Sequence, residues 1–228
     1  MSRRLSLVLL LAMAVCATAR TGRALPATQA SPMLLLALSE ASAKPTVLNF
    51  DADKAGEAPK GWQSATGAWK VAAADTAPSK PNVLAMTAAD AKEPFNVSLA
   101  ADTSAKDLDL TVKMKAVSGK KDQGGGLVWR ARDAANYYVC RWNPLEANVR
   151  LYKVVEGKRA QLASADLKAE PGWHALRVVM KGDQIECHFD AGKIIEAKDD
   201  TFKDAGQIGL WTKADAVTYF DDLALFPK

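Results

Sequence analysis

The stretch GGGLVWRARDAANYYVCRWNPLEANVRLYKVV, residues 124–155, decides the fold of this chain. It contains three short apolar or aromatic runs, which are separated by the polar segments DAAN (133–136) and NPLEAN (143–148). Runs of this kind, broken by Asp, Asn, Pro and Gly, are typical of consecutive antiparallel strands joined by turns. The stretch is rich in aromatic residues and arginine, and it contains no pattern that names a reaction.

The remaining segments of the chain have the same character. In DLDLTVKMK (107–115) apolar and polar residues alternate, which is the pattern of a strand buried on one side. Turn signals recur every 8 to 12 residues, and no segment after the first 43 residues shows apolar residues at helical spacing. The sequence therefore predicts an all-β sandwich or barrel that occupies residues 44–228 as one domain.

The first 43 residues have the pattern of a secretory leader. Two arginines at positions 3 and 4 precede an apolar run (5–15) and the small-residue segment ATA (17–19), and a second apolar run (33–38) is followed by ASA (41–43). This pattern predicts a signal peptide that is cleaved after Ala19 or after Ala43. Both runs are shorter than a membrane span requires, so we expect a secreted or periplasmic protein without a transmembrane span.

The charge and the cysteine content exclude several classes of partner. The formal net charge is +4, and removal of the leader lowers it to about +1, which gives no reason to expect a nucleic acid partner. Cys140 and Cys187 remain after cleavage; they could form a disulfide if their strands are neighbours, or they could be buried free thiols. With no CxxC pair and only His174 and His188 as imidazoles, a zinc site has no support.

The order of the segments resembles the concanavalin A-like lectin/glucanase jelly roll, and more narrowly the laminin-G-like domains grouped as 3-keto-disaccharide hydrolase-like. The motifs that carry the resemblance are GGLVWR (125–130), NYYV (136–139), NVRLY (148–152), WHALR (173–177), DAGK (190–193), GQIGLW (206–211) and FDDL (220–223). The resemblance implies two stacked antiparallel sheets with a concave face that meets a carbohydrate. The paired acids of the glucanases, in an E-x-D-x-x-E arrangement, are missing: no glutamate follows Asp107 and Asp109 at that spacing.

Side-chain alternation along the strands divides the central stretch into two faces. Trp129, Tyr138, Val149 and Leu151 form the set expected to face the core. The set expected to face outward, with planar donors and flat rings suited to a sugar, comprises Arg130, Arg141, Asn143, Arg150, Tyr152 and Trp211. The alternative is that these rings pack in the core or under loops and that the arginines are ordinary surface residues.

Catalytic and metal sites have weaker signals. Asp51 after the first strand and Asp221 in the last could supply oxygen ligands to a structural calcium ion if the two ends of the chain pair, and otherwise they cap turns. The sequence predicts no other cofactor and names no catalytic residue.

The leading prediction is an exported module that binds a glycan or small saccharide. The alternatives are a glycoside hydrolase of the 3-keto-disaccharide type and an extracellular protein-interaction domain.

Overall fold

The computed structural model of the protein describes residues 44–88 and 94–228, and the predicted leader lies outside them. The described residues form fifteen strands and no helix. The strands are β1 (Thr46–Leu48), β2 (Trp62–Ser64), β3 (Ala68–Ala73), β4 (Asn82–Ala88), β5 (Phe95–Ala100), β6 (Leu108–Ser118), β7 (Gly125–Asp133), β8 (Asn136–Asn143), β9 (Asn148–Val155), β10 (Lys158–Asp166), β11 (Trp173–Lys181), β12 (Gln184–Phe189), β13 (Gly192–Lys198), β14 (Gln207–Lys213) and β15 (Val217–Pro227).

The strands form two antiparallel sheets that stack as a sandwich. The first sheet has the order β13-β12-β11-β6-β15-β4-β3, with β1 added to β15 so that Thr46 lies opposite Leu225. The second sheet has the order β10-β9-β8-β7-β14-β5-β2. The central stretch of the sequence supplies three adjacent strands of the second sheet, β7 to β9. The predicted all-β two-sheet sandwich is confirmed.

The main core lies between the sheets and is built by the residues that alternation placed inward. Trp129, Tyr138, Val149 and Leu151 are all buried there, together with residues such as Leu110 of the first sheet. Rings of Trp129 and Tyr138 stack with centroids 5.6 Å apart. Burying each such aromatic side chain stabilises the fold by roughly 1.5–3 kcal/mol. The predicted inner set is confirmed.

Tyr138 also ties the core to the loop that follows β13. Its hydroxyl donates to Asp199 Oδ1 at 2.6 Å and accepts from the backbone N–H of Phe202 at 3.2 Å. Burial and the Asp199 carboxylate together raise the pKa of Tyr138 to about 12. Burial alone would raise the pKa of Asp199, but hydrogen bonds from Lys153, Thr201 and Tyr138 outweigh it and hold that pKa at about 2. Asp199 therefore stabilises this loop as a carboxylate.

Cys140 of β8 and Cys187 of β12 belong to facing sheets and are both fully buried in the main core as free thiols. Burial, and then the neighbouring Cys140 thiol, raise the pKa of Cys187 well above its usual range. Of the two alternatives that the sequence left open, the structure contains the pair of buried free thiols.

Strand β7 is irregular at its centre. Its pairing with β8 shifts register between Trp129 and Asp133, and Arg130 has a φ of 47°. A bulge inserts extra residues into one strand and redirects the side chains around them. Nearby, Gly126 lies so close to β8 that a Cβ atom would overlap the backbone oxygen of Cys140. The bulge decides where Arg130 points.

Candidate functional site

A second apolar cluster covers the side of the second sheet that faces away from the main core, and we call this side the outer face. It gathers residues from β5, β7, β8, β9 and β14, since alternate residues of each strand point away from the core. Its buried members are Val97, Leu99, Val128, Ala131, Tyr137, Val139, Tyr152, Val154 and Trp211, and Phe95 packs against them. The second sheet therefore carries apolar clusters on both of its faces. A sheet with one face in solvent would instead have polar residues on that face.

Aromatic rings and one arginine form the centre of the outer face. The rings of Trp211 and Phe95 lie 5.4 Å apart between centroids, and Trp211 Nε1 donates to the hydroxyl of Tyr137 at 3.2 Å. The guanidinium of Arg159 lies over Tyr152, with its carbon 4.3 Å from the ring centroid, and is 5.9 Å from the Trp211 centroid. Burial raises the pKa of Tyr137 above its usual range. This centre is a packed aromatic floor with a cation on top of it.

The predicted aromatic residues thus lie on the expected face but are not open to solvent. Trp211 is 1% exposed and Tyr152 is 3% exposed. The expectation of two open rings is wrong, because neighbouring rings and the Arg159 guanidinium pack against them. A sugar can stack on these rings only if Arg159 moves away from them.

A network of charged and amide groups lies beside this floor, at the end of the outer face where β8 turns into β9. Arg141 donates to Asn148 Oδ1 at 2.7 Å and to Glu146 Oε2 at 2.8 Å. Arg150 Nη1 lies 3.0 Å from the same Glu146 oxygen. Burial alone would raise the pKa of Glu146, but the hydrogen bond and charge of Arg141, with help from Asn148 and Arg150, lower it. Glu146 is therefore held as a carboxylate between two guanidinium groups.

The network continues toward β14 through a buried carboxylate. Asn143 donates to Asp122 Oδ1 at 2.7 Å, and Lys213 contacts Asp122 Oδ2 at 2.9 Å. Asn143 also accepts the backbone N–H of Glu146 at 3.0 Å, which fixes the turn that carries Glu146. These bonds link the β14 end of the outer face to the β8–β9 turn.

Arg130 does not join this network, and the prediction that alternation carries it onto the outer face is wrong. Its guanidinium donates to the backbone oxygens of Phe202 at 2.6 Å, Lys106 at 2.7 Å and Gly182 at 2.9 Å, and to Asp107 Oδ1 at 3.1 Å. Lys106, Asp107 and Gly182 border strands of the first sheet. The bulge in β7 therefore turns Arg130 toward the other sheet, where it is 2% exposed and its hydrogen bonds are internal.

Five of the six predicted site residues share the outer face, and their contact with a ligand stays a prediction. Sequence reasoning missed Arg159, Glu146, Asn148 and Asp122. Arg159 could have been found by continuing the alternation of β9 across the hairpin, because it pairs with Val154. Asp122 follows two lysines, a pattern typical of an exposed turn, yet it is 3% exposed.

The acidic residues considered for calcium are engaged in separate hydrogen bonds. Asp221 accepts the backbone N–H of Ser79 at 2.8 Å and its hydroxyl at 3.0 Å, and burial raises the pKa of Asp221. Asp51 Oδ1 accepts the backbone N–H of Asn82 at 3.1 Å. Among residues 44–88 and 94–228, no three His, Cys, Asp or Glu side chains gather as metal ligands. Calcium binding stays a prediction.

His174 of β11 and His188 of β12 lie on the first sheet. His174 Nδ1 lies 3.0 Å from Asp190 Oδ2, and its Nε2 lies 2.7 Å from the backbone oxygen of Glu170. His188 Nε2 lies 3.1 Å from Glu186 Oε2. Neither imidazole belongs to the outer face of the second sheet, so neither adds a base to the network around Glu146.

The described part of the chain contains no helix long and apolar enough to cross a membrane.

Comparison with solved structures finds chains of the same architecture. The carbohydrate-binding module CBM66 from Bacillus subtilis aligns with a TM-score of 0.60 and 21% identity, over 72% of this chain and 93% of that one. The β-glucanase of Bacillus licheniformis aligns with a TM-score of 0.53 and 13% identity, over 81% of this chain and 98% of that one.

A third structure, the GH43 protein BlXynB of Bacillus licheniformis, aligns with a TM-score of 0.57 and 15% identity, over 80% of this chain but only 39% of that one. At these identities the similarity is one of fold, and it is consistent with the concanavalin A-like class of antiparallel jelly-roll sandwiches. No protein-family model matches the chain. The search of curated proteins finds no significant match.

Proposed function

We propose that the chain is an exported carbohydrate-binding module that binds a glycan or small saccharide on the outer face of its second sheet. The observation that carries the proposal is the network of Arg141, Asn148, Glu146 and Arg150 beside the aromatic floor. Sugar hydroxyls both donate and accept hydrogen bonds, and this network offers guanidinium donors, amide groups and a carboxylate within one site. Export follows from the leader-like sequence of residues 1–43.

The network suits recognition because most of it is held in place before a ligand arrives. Arg141 is 3% exposed and its two outer nitrogens are fixed by Asn148 and Glu146. Arg150 is more open, with 32% of its side chain exposed. Side chains that are already ordered lose less conformational entropy when a ligand binds, which favours affinity. In this arrangement Arg150 and Glu146 contact the saccharide, and Tyr152 and Trp211 support them from below.

The similarity of fold gives further support, since one of the structures that align with this chain is named as a carbohydrate-binding module. A shared fold does not by itself transfer a ligand, because unrelated functions occur on one architecture. For this reason the proposal depends on the side chains of the outer face.

Titration calorimetry of the purified protein against a panel of oligosaccharides tests the proposal, with two arginine variants as the decisive pair. Arg150→Gln removes a charged donor from the outer face, and we expect affinity to fall roughly tenfold or more, the effect of losing one charge-assisted hydrogen bond. Arg177→Gln is the matched control. That arginine also pairs with a carboxylate, Asp109, and is 40% exposed, but it belongs to the first sheet.

We expect the Arg177→Gln variant to bind like the wild type. Absence of binding across the whole panel, or equal losses in the two variants, would refute the proposal. Circular dichroism of both variants confirms that the sandwich is intact before the affinities are compared.

The alternative function is a glycoside hydrolase of the 3-keto-disaccharide type, and one observation favours it: Glu146 places a carboxylate on the outer face. Its lowered pKa suits a base or nucleophile and not a general acid near neutral pH. Release of free sugar from a 3-keto-glucoside, abolished in Glu146→Gln, would establish hydrolysis. A protein-interaction domain is the further alternative, and it predicts a protein partner instead of saccharide binding.

A further inference from the structure

The charges on the outer face do not balance. Glu146 is shared by Arg141 and Arg150, and Asp122 is paired with Lys213. Arg159 is different, because no carboxylate of the described residues lies within ion-pair distance of it. The outer face thus contains more guanidinium and ammonium groups than carboxylates, and the surplus is centred on an arginine above the aromatic floor.

Two of these arginines also have hydrogen-bond donors without an acceptor. Arg150 Nε and Arg159 Nη1 are out of contact with solvent and have no hydrogen-bond partner among the described residues. A buried donor without an acceptor costs about 1–3 kcal/mol, and more when the group is charged. Protein interiors therefore rarely leave such donors unused unless a ligand or solvent oxygen supplies the acceptor.

Arg159 is half-buried over the aromatic floor, and no carboxylate among the described residues pairs with its donors. Its guanidinium is held by the faces of Tyr152 at 4.3 Å, Phe95 at 5.3 Å and Trp211 at 5.9 Å. Stacking of this kind uses the flat side of the guanidinium and leaves the N–H groups at its edge free. A planar edge with parallel N–H groups matches a carboxylate or another oxyanion in a bidentate manner.

A neighbouring pair of arginines on the same face already binds a carboxylate. Glu146 is bound there by Arg141 at 2.8 Å and Arg150 at 3.0 Å, with Asn148 Nδ2 3.4 Å from the same oxygen. The carboxylate lies on the surface of the network, with 36% of its side chain exposed. A second anion at Arg159 would repeat this chemistry on the unpaired side of the face.

We propose that the saccharide bound by the outer face is anionic and that its acidic group binds Arg159, with Arg150 as the neighbouring donor. This inference rests on the proposed function and names the class of its ligand. The acidic group can be the carboxylate of a uronic acid or a sulfate ester, because both present oxygens in the geometry that a guanidinium binds.

The test compares a charged sugar with its neutral derivative by titration calorimetry. The probes are an oligogalacturonide, the same oligomer with its carboxylates methyl-esterified, and a sulfated galactan oligomer, each at low and moderate salt. We expect one of the two anionic probes to bind roughly ten- to hundredfold more tightly than the ester, which is the effect of a charge-assisted hydrogen bond. Its affinity should also fall as salt is added, since salt screens charges near the surface.

Arg159→Gln should remove the preference for the anionic probe, and Arg159→Lys should retain part of it, because lysine keeps the charge but not the planar fork. Arg132→Gln is the matched control: its guanidinium also lies over a ring, 5.4 Å from the Phe202 centroid, but it is outside the outer face. We expect this variant to keep the full preference.

The outcomes separate this inference from the proposed function. Tight binding of the oligogalacturonide identifies a uronate as the anion, and tight binding of only the sulfated oligomer identifies a sulfate; both support the inference. Equal binding of all three probes, or binding of neutral sugars alone, overturns the anionic ligand and leaves the proposed carbohydrate binding unaffected. Absence of binding to any saccharide overturns both.

Discussion

Replacement of Arg130 by methionine tests the assignment of this residue to the interior of the sandwich. Methionine keeps a long apolar stem and has the same unfavourable backbone conformation at a φ of 47°, so the change isolates the guanidinium. The substitution leaves the backbone oxygens of Lys106, Phe202 and Gly182 without their donor, and it removes the partner of Asp107.

The magnitude follows from the burial of these groups. Each carbonyl that loses a charged donor inside the protein costs about 1–3 kcal/mol, less where water reaches it. Asp107 is 28% exposed, so water replaces much of its interaction with Arg130, whose own side chain is 1% exposed. Breaking a buried charge network of this size costs about 3–5 kcal/mol in the free energy of unfolding.

Urea unfolding, followed by tryptophan fluorescence, measures this loss. Arg132→Met is the control on the same strand: its side chain is 55% exposed and lies 3.7 Å from Asp204, so we expect a change within about 0.5 kcal/mol. If Arg130→Met unfolds within about 1 kcal/mol of the wild type, the guanidinium does not stabilise the sandwich end, and the assignment is refuted.

Three further predictions concern the loop after β13 and the packing of the strands. The pKa of Asp199 lies at about 2, below its value of 3.8 in an unfolded chain, so Asp199 contributes about 2 kcal/mol to the free energy of unfolding. This contribution is complete above about pH 5 and is lost as the pH falls through 3.8 toward 2. Acid unfolding of Asp199→Asn should lack this component, and identical pH profiles for the variant and the wild type would contradict the idea. The buried thiols of Cys140 and Cys187 should react with iodoacetamide only after unfolding, as mass spectrometry can show, and rapid labelling of native protein would argue against their burial. Gly126→Ala should destabilise by about 1–3 kcal/mol in urea unfolding, since its Cβ would overlap the Cys140 backbone oxygen; Gly192→Ala, with its nearest neighbour at 3.8 Å, should change little, and equal effects would refute the steric argument.

Local patterns in the sequence were sufficient to predict the fold class and the residues that face the core. Alternation along β8 and β9 placed Tyr138, Val149 and Leu151 in the core correctly, because the pairing of these strands has no register shift. The same argument failed in β7, where two more residues lie between Trp129 and Asp133 than between their partners Tyr138 and Asn136 on β8. A bulge is created by contacts with other strands, so counting residues along one strand could not reveal it.

The site depended even more on distant contacts. Asp122 is buried because Lys213, 91 positions away in the chain, contacts it from β14. Arg159 has its place because β10 pairs with β9 in a register that sets it beside Val154. The burial of Asp122 and the position of Arg159 are both set by how distant strands pair, and the sequence of a single segment does not determine that pairing. The composition of the face, arginine with aromatic residues, was nevertheless visible in the central stretch.

The pairing of β1 with β15 has a practical consequence for how the protein can be held. Thr46 lies opposite Leu225, so the start of the described chain and its carboxyl end leave the sandwich together, from the layer that does not carry the outer face. A fusion partner, a surface tether or a sensor-chip linkage at the carboxyl end is therefore attached to the opposite layer. Such an attachment leaves the outer face directed toward the surrounding medium, which favours immobilised formats for screening glycans against it.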